Sequence, residues 1–144
     1  MESSCDETGV GIVKGEDQIL TNKIYSQADI HEKYGGVVPE IASRNHLKKF
    51  SPLIEEALAK ADISLQDIDL VGATYGPGLV GPLLVGLSLG KSLGYSLDVP
   101  FLGINHLEAH VFAHYSSHGT NPPFLALLVS GGHTSLVLVE DWGD

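Results

Sequence analysis

The first apolar runs of the chain are short and close together. Val10-Gly11-Ile12-Val13, then Lys14-Gly15-Glu16-Asp17, then Gln18 to Tyr25 reads as strand, turn, strand. A glycine-rich loop follows at Tyr34 to Pro39. From Glu40 the apolar positions Ile41, Leu47, Phe50, Leu53, Ile54, Ala57, Leu58 and Ala61 fall at spacings of three and four, which predicts a helix over 40–61. Pro52 either kinks that helix or opens its second half behind Ser51. Asp69 to Thr74 predicts a buried strand, Gly81 to Leu97 a second helix, and Pro100 to Ile104 another strand. The 81–97 helix carries glycines at 81, 86, 90 and 94, a stripe that would let another helix approach closely. Asn105 is placed to cap a helix running to Ser117, and Asn121-Pro122-Pro123 breaks the chain. Phe124 to Ser130 and Ser135 to Glu140 then pair as a hairpin. Strands alternating with helices predict an α/β protein with helices on the faces of a mixed sheet.

The two ends of the chain resemble each other. Ser3-Ser4-Cys5-Asp6-Glu7-Thr8 precedes an apolar strand, and so does Ser130-Gly131-Gly132-His133-Thr134. Each is a polar turn that opens on serine and closes on threonine. The similarity suggests a duplicated fold whose second copy begins near residue 124.

Composition narrows the picture. The chain has 144 residues, 43% of them apolar and 18% charged, enough for one domain with a core. No run reaches the roughly 18 apolar residues of a membrane span, and the start has no basic segment followed by an apolar one. A single cysteine permits no internal disulfide, so a cytoplasmic location is expected. The net charge is -10 with only eight Lys and Arg, so an RNA substrate would need a docking surface supplied elsewhere.

Candidate chemistry sits in four places. Asn105-His106-Leu107-Glu108-Ala109-His110 sets two histidines at i and i+4, on one helix face and about one turn apart, a spacing that can chelate a metal ion. The same spacing also describes two partly exposed helix histidines. The motif is not the His-Glu-x-x-His of zinc proteases, because Glu108 lies about 200° around the helix from His106. His114 and His118 read as solvated residues of the last turn. Ser130-Gly131-Gly132-His133-Thr134 is either an anion-binding turn or a plain hairpin turn. Ser3 to Thr8 is either a phosphate-facing turn or a terminal segment, with Cys5 read as a small buried residue. Tyr75-Gly76-Pro77-Gly78-Leu79-Val80-Gly81 lacks both the P-loop ending and the dinucleotide spacing, and reads as a tight connector.

Taken together these segments are far more specific than any one of them. Glu2 to Thr8, His31 to Arg44 with its Gly35-Gly36-Val37-Val38-Pro39-Glu40 core, Gly76-Pro77-Gly78-Leu79, Asn105 to His110 and Val129 to Thr134 occur in this order in the tRNA threonylcarbamoyladenosine transferase family of bacterial type, whose older name is O-sialoglycoprotein endopeptidase or glycoprotease. The chain resembles the N-terminal portion of that family over its whole length.

The resemblance implies an actin-like ATPase (ribonuclease H-like) fold with a mixed sheet and flanking helices, 1–120 being the first lobe of a duplicated fold and 121–144 the first hairpin of the second. It implies transfer of threonylcarbamoyl from threonylcarbamoyl-AMP to N6 of the adenosine beside the anticodon, in tRNAs reading codons that begin with A. His106 and His110 would hold one iron or zinc ion, the third protein ligand lying outside this chain. Val129, Ser130, Gly131, Gly132, His133 and Thr134 would line the substrate, and Ser3, Ser4, Asp6, Glu7 and Thr8 would form a phosphate-side loop. No catalytic residue is assigned beyond these. The family has a few residues before Glu2 and runs to more than twice this length, so the chain is expected to be inactive alone. The implied partners are an actin-like paralogue, an ATPase of the same pathway and tRNA, with homodimerisation through helices 40–61 and 81–97 in their absence. The competing readings are a metalloendopeptidase and a non-catalytic actin-like scaffold.

Overall fold

Alternation puts Thr8, Val10 and Ile12 on the buried side of strand β1 (Glu7–Lys14). It pairs antiparallel with β2 (Gln18–Ser26), from Glu7↔Ser26 to Lys14↔Gln18, with a bulge between Ile12 and Val13. The computed structural model describes residues 1–15, 18–132 and 134–142; Glu16 and Asp17 of the expected turn, and His133, lie outside the described residues.

A single helical turn, α1 (Ala28–Glu32), which the apolar pattern did not signal, leads to α2 (Pro39–Ala61). Pro39 sits in the first turn of α2, where a missing N–H costs no helix bond. The helix continues unbroken through Pro52. Its buried face is Ala42, His46, Phe50, Leu53 and Ala57. Leu47, expected on that face, is 66% exposed, and His46 takes the inward position instead. After the short 3-10 turn Leu65–Asp67, the parallel strands β3 (Val71–Gly76) and β4 (Phe101–Asn105) are joined by α3 (Val80–Leu97) in a βαβ unit. Both long helices end on a left-handed aspartate, Asp62 at φ 56° and Asp98 at φ 55°. Ile63 N–H then closes on the Leu58 carbonyl at 3.2 Å and Val99 N–H on that of Gly94 at 3.0 Å.

The glycine stripe of α3 faces this chain's own strands and terminal segment. A Cβ at Gly90 would lie 3.0 Å from both Ala73 Cβ and Phe101 Cε2, and one at Gly86 would strike the Ser3 hydroxyl. The small residues therefore let α3 settle onto β3, β4 and the start of the chain. At its first turn the stripe also admits α2, since a Cβ at Gly81 would lie 2.6 Å from the Ser43 hydroxyl, so the helix that approaches is this chain's own.

The core combines Val10 and Ile12 of β1 with Phe50, Leu53 and Ala57 of α2. Met1, Leu20, Tyr25, Val85 and Leu89 pack around them. The first two residues run between β1 and β3. Glu2 and Gly9 exchange both backbone hydrogen bonds at 2.9 Å, Thr74 N–H donates to the Met1 carbonyl at 3.1 Å, and the Met1 ammonium donates to the Gly72 carbonyl at 2.9 Å. These bonds fix where the Glu2 side chain emerges.

The chain divides into two units, Met1–His106 and Leu107–Asp144. Helix α4 (His106–His118) starts directly after β4, so Asn105, the last residue of that strand, stands immediately before the first helical residue. In the second unit the rings of Phe112, Tyr115 and Phe124 surround Trp142, with centroids 5.4, 4.9 and 5.9 Å from it. Strands β5 (Phe124–Val129) and β6 (Thr134–Val139) pair antiparallel from Phe124↔Val139 to Val129↔Thr134. Leu125, Leu127, Leu136 and Leu138 share one exposed face of that hairpin. Among the described residues no helix is long and apolar enough to cross a membrane.

Candidate functional site

The turn from Ser3 to Thr8 is held from three sides. Helix α2 contributes His46, fully buried, whose Nδ1 is 2.8 Å from the Thr8 hydroxyl and whose Nε2 is 3.0 Å from the Cys5 carbonyl. A carbonyl only accepts, so Nε2 carries the proton and Nδ1 accepts from Thr8. Burial holds the His46 imidazole below the ordinary histidine range; the Cys5 carbonyl and the carboxylates of Glu2 and Asp6 only partly offset it. The start of α3 contributes Leu79 N–H, which donates to the Ser4 carbonyl at 2.7 Å, and the Pro82 carbonyl, which accepts from the Ser3 hydroxyl at 2.9 Å. Gly78 makes that approach possible, since a Cβ there would lie 2.5 Å from the Ser4 carbonyl oxygen. Strand β3 contributes Thr74, whose hydroxyl donates to Glu2 Oε2 at 2.6 Å.

Ser3, Ser4 and Thr8 are consequently buried, and their hydroxyls bond within the fold. Their direct effect is to shape the turn. Asp6 is half-buried and Glu7 exposed. Cys5 is exposed, correcting the expectation of a buried thiol; partial desolvation of the sulfur and the Asp6 carboxylate beside it push the thiol up, away from a reactive thiolate.

Glu2 is the charged centre of this arrangement. The Ser4 N–H donates to Oε1 and Thr74 to Oε2. Burial pushes the Glu2 carboxyl up, but hydrogen bonds from Ser4 and Thr74, with the His106 ring alongside, outweigh burial and hold it below the usual glutamate value. His106 Nδ1 lies 3.2 Å from Glu2 Oε2 and 3.3 Å from the Ser4 hydroxyl. Sequence reasoning found His106, Ser4 and Thr8 but missed Glu2, His46 and Thr74 as site residues. His46 had a signal: it is the polar residue at the i+4 step between Ala42 and Phe50 on the inward face of α2.

His110 lies one turn further along α4 and is exposed. Val129, Ser130, Gly131, Gly132 and Thr134 form the exposed turn joining β5 to β6, where Gly132 N–H is 3.4 Å from the Ser130 hydroxyl. His133 lies outside the described residues. Among the described residues, no group of three or more His, Cys, Asp and Glu is gathered to hold a metal ion. Imidazole, with one ring nitrogen directed at a carboxylate as Nδ1 of His106 is, is a donor of the kind that iron and zinc ions take.

A family model described as TsaD, tRNA N6-adenosine threonylcarbamoyltransferase, matches residues 18–144. The tRNA N6-adenosine threonylcarbamoyltransferase of Clostridium perfringens (strain SM101 / Type A) is 54% identical over 144 residues, covering 99% of this chain and 42% of that protein. That of Clostridioides difficile (strain 630) is 52% identical over 144 residues, covering 99% of this chain and 43% of that protein. The chain thus spans less than half the length of these relatives. Among solved structures, YeaZ from Pseudomonas aeruginosa superposes with a TM-score of 0.62 at 16% identity, covering 94% of this chain and 62% of that one. A second structure, described as an uncharacterized protein with similarity to peptidase YEAZ from Pseudomonas aeruginosa, gives a TM-score of 0.60 at 16% identity over 94% of this chain and 61% of that one. At such identity the likeness speaks to the fold alone, and the fold is the α/β, actin-like class expected from the sequence.

Proposed function

We propose that this chain, which belongs to the tRNA N6-adenosine threonylcarbamoyltransferase family, is the N-terminal, metal-holding portion of an enzyme that moves threonylcarbamoyl from threonylcarbamoyl-AMP to N6 of the adenosine beside the anticodon in tRNAs reading A-starting codons. The observation that carries this reading is the contact between His106 Nδ1 and the Glu2 carboxylate, a support placed where a metal-ligating histidine needs one. His106 and His110 would hold the iron or zinc ion. When bound, that ion would supply Lewis acidity at the threonylcarbamoyl end. The rest of the chemistry is positioning. The adenosine amine is a weak nucleophile, so transfer depends on holding donor and acceptor together and on balancing charge as the acyl group moves. Val129, Ser130, Gly131, Gly132, His133 and Thr134 are assigned to the donor, and the edge of the first turn formed by half-buried Asp6 and exposed Glu7 to its phosphate side.

The acidic balance of the chain, a net charge of -10, favours tRNA docking through a partner surface. The partners proposed are the actin-like paralogue and an ATPase of the same modification system, with the outward faces of α2 and α3 as contact surfaces. Leu47 on α2 and Leu84 on α3 are exposed there. Without those partners the same two faces are proposed to pair two copies of this chain.

The test joins this chain to the remainder of the Clostridium perfringens relative and measures incorporation of labelled threonylcarbamoyl into unmodified tRNA, with the partner proteins present. The expected result is incorporation by the joined protein, loss to background on His110→Ala, and none from this chain alone. A joined protein that folds, is loaded with iron or zinc and still transfers nothing would overturn the proposal.

A further inference from the structure

The last turns of α4 carry two imidazoles that the transferase reading leaves unused. His114 and His118 stand one turn apart, and their rings are stacked with centroids 4.6 Å apart and planes inclined by 20°. Both residues are exposed, as the sequence led one to expect, but their rings have neighbours. Gly119, at φ 68°, donates its N–H to the Tyr115 carbonyl at 2.7 Å and turns the chain back. The Thr120 hydroxyl thereby meets His114 Nε2 at 3.1 Å. The ring of Phe124, at the start of β5, lies 6.3 Å from that of His114.

His118 Nδ1 is 3.3 Å from the His114 carbonyl oxygen. A carbonyl only accepts, so Nδ1 carries the proton and the neutral ring keeps its lone pair on Nε2. Support of Nδ1–H by a backbone carbonyl is a common setting for a metal-ligating histidine. His114 Nε2 faces a hydroxyl that can donate, so this nitrogen can keep a lone pair as well. Two metal–nitrogen bonds of about 2.0–2.1 Å span up to about 4.2 Å. Rings at the observed spacing reach one ion by turning about their exposed side-chain bonds. Such an ion would sit at the C-terminal end of α4, where the helix dipole favours positive charge.

We infer that His114 and His118 chelate a divalent transition-metal ion of the Ni2+, Cu2+ or Zn2+ class, other than the ion proposed for His106 and His110. Two neutral imidazoles select such ions over Mg2+ and Ca2+, which take oxygen ligands. Water completes the coordination, so the ion exchanges where a structural metal would stay. Both ligands belong to the second unit, and the site does not rest on the transferase reading.

The experiment is calorimetric titration with Ni2+ at about pH 8, where histidine rings are neutral. The chain carries His110→Ala, so that the pair at 106 and 110 cannot contribute. Uptake of one Ni2+ per chain is expected, with no response to Mg2+. Adding either His114→Gln or His118→Gln is expected to abolish that uptake as fully as both together, since a chelate needs two ligands. Uptake that survives either change overturns the inference, and so does a His110→Ala chain that takes up no Ni2+. A second measurement needs no substitution in the metal-binding sample. Long-range 15N–1H correlation on the labelled wild type, with the two rings assigned from the glutamine variants, is expected to show Nδ1–H on His118. Added Zn2+ is expected to shift Nε2 of both rings. An Nε2–H His118, or rings that Zn2+ leaves unmoved, would sink the site.

Discussion

The Thr8 hydroxyl and His46 Nδ1 meet at 2.8 Å in the interior, both residues fully buried, and the far nitrogen of the same ring holds the Cys5 carbonyl at 3.0 Å. One side chain of α2 thus grips the turn at two points. Replacing Thr8 with valine keeps the volume and removes the donor, leaving a buried Nδ1 with nothing to accept. The expected loss is about 1–3 kcal/mol in urea denaturation. A change under about 0.5 kcal/mol would mean the bond carries little of the turn's stability.

The same ring predicts an acid limb in the stability profile. Burial, the largest influence, holds folded His46 below its usual value, while an unfolded histidine titrates near pH 6.5. As pH falls through about 6.5, the unfolded chain takes up the proton first, so stability declines until the folded value is passed. Denaturation midpoints between pH 8 and pH 5 are expected to fall more steeply for wild type than for His46→Gln. Equal slopes would place the acid sensitivity elsewhere.

Helices and strands were legible because their apolar spacing is regular. The site was legible only in part. His106 showed itself because it belongs to a local motif. Glu2, His46 and Thr74 did not, because their role arises from contacts with residues 104, 38 and 72 positions away in sequence. Leu47 and His46 exchanged places for a related reason. Both fit helical spacing, and only the polar demands of the Cys5 carbonyl and the buried Thr8 hydroxyl select the histidine for the inside. The glycines of α3 signalled close approach correctly, but spacing alone could not say that the approaching surfaces are this chain's own strands, first residues and α2.

Gly78 links the site to the start of α3. A Cβ at 78 would fall 2.5 Å from the Ser4 carbonyl oxygen and 2.7 Å from Ser4 Cβ, so Gly78→Ala must push the turn away. A cost of about 1–3 kcal/mol is expected, with shifts in the amide resonances of Ser4 and His106. Gly36→Ala, with nothing within 4 Å of its Cβ, is the control and is expected to stay within about 0.5 kcal/mol.

The second unit has its own reporter, because Trp142 is the chain's single tryptophan. Its ring stands edge-on to Phe112, with centroids 5.4 Å apart. Phe112→Ala removes that pair, worth about 0.5–1.5 kcal/mol beyond lost area. The emission of Trp142 is expected to move to longer wavelength with the denaturation profile of the first unit unchanged. An unmoved emission maximum would show that Phe112 does not shield the indole.

Beside the local Ser4–Glu2 and Glu2–Gly9 bonds, the side-chain bonds that tie the Glu2–Thr8 turn to α2, α3, β3 and His106 reach across 38 to 104 positions. Such distant closures are entropically expensive until the strands and helices between them are in place. The contact between His106 and Glu2 is therefore a late event in folding: a half-folded chain has the imidazole but not the ring held against its carboxylate.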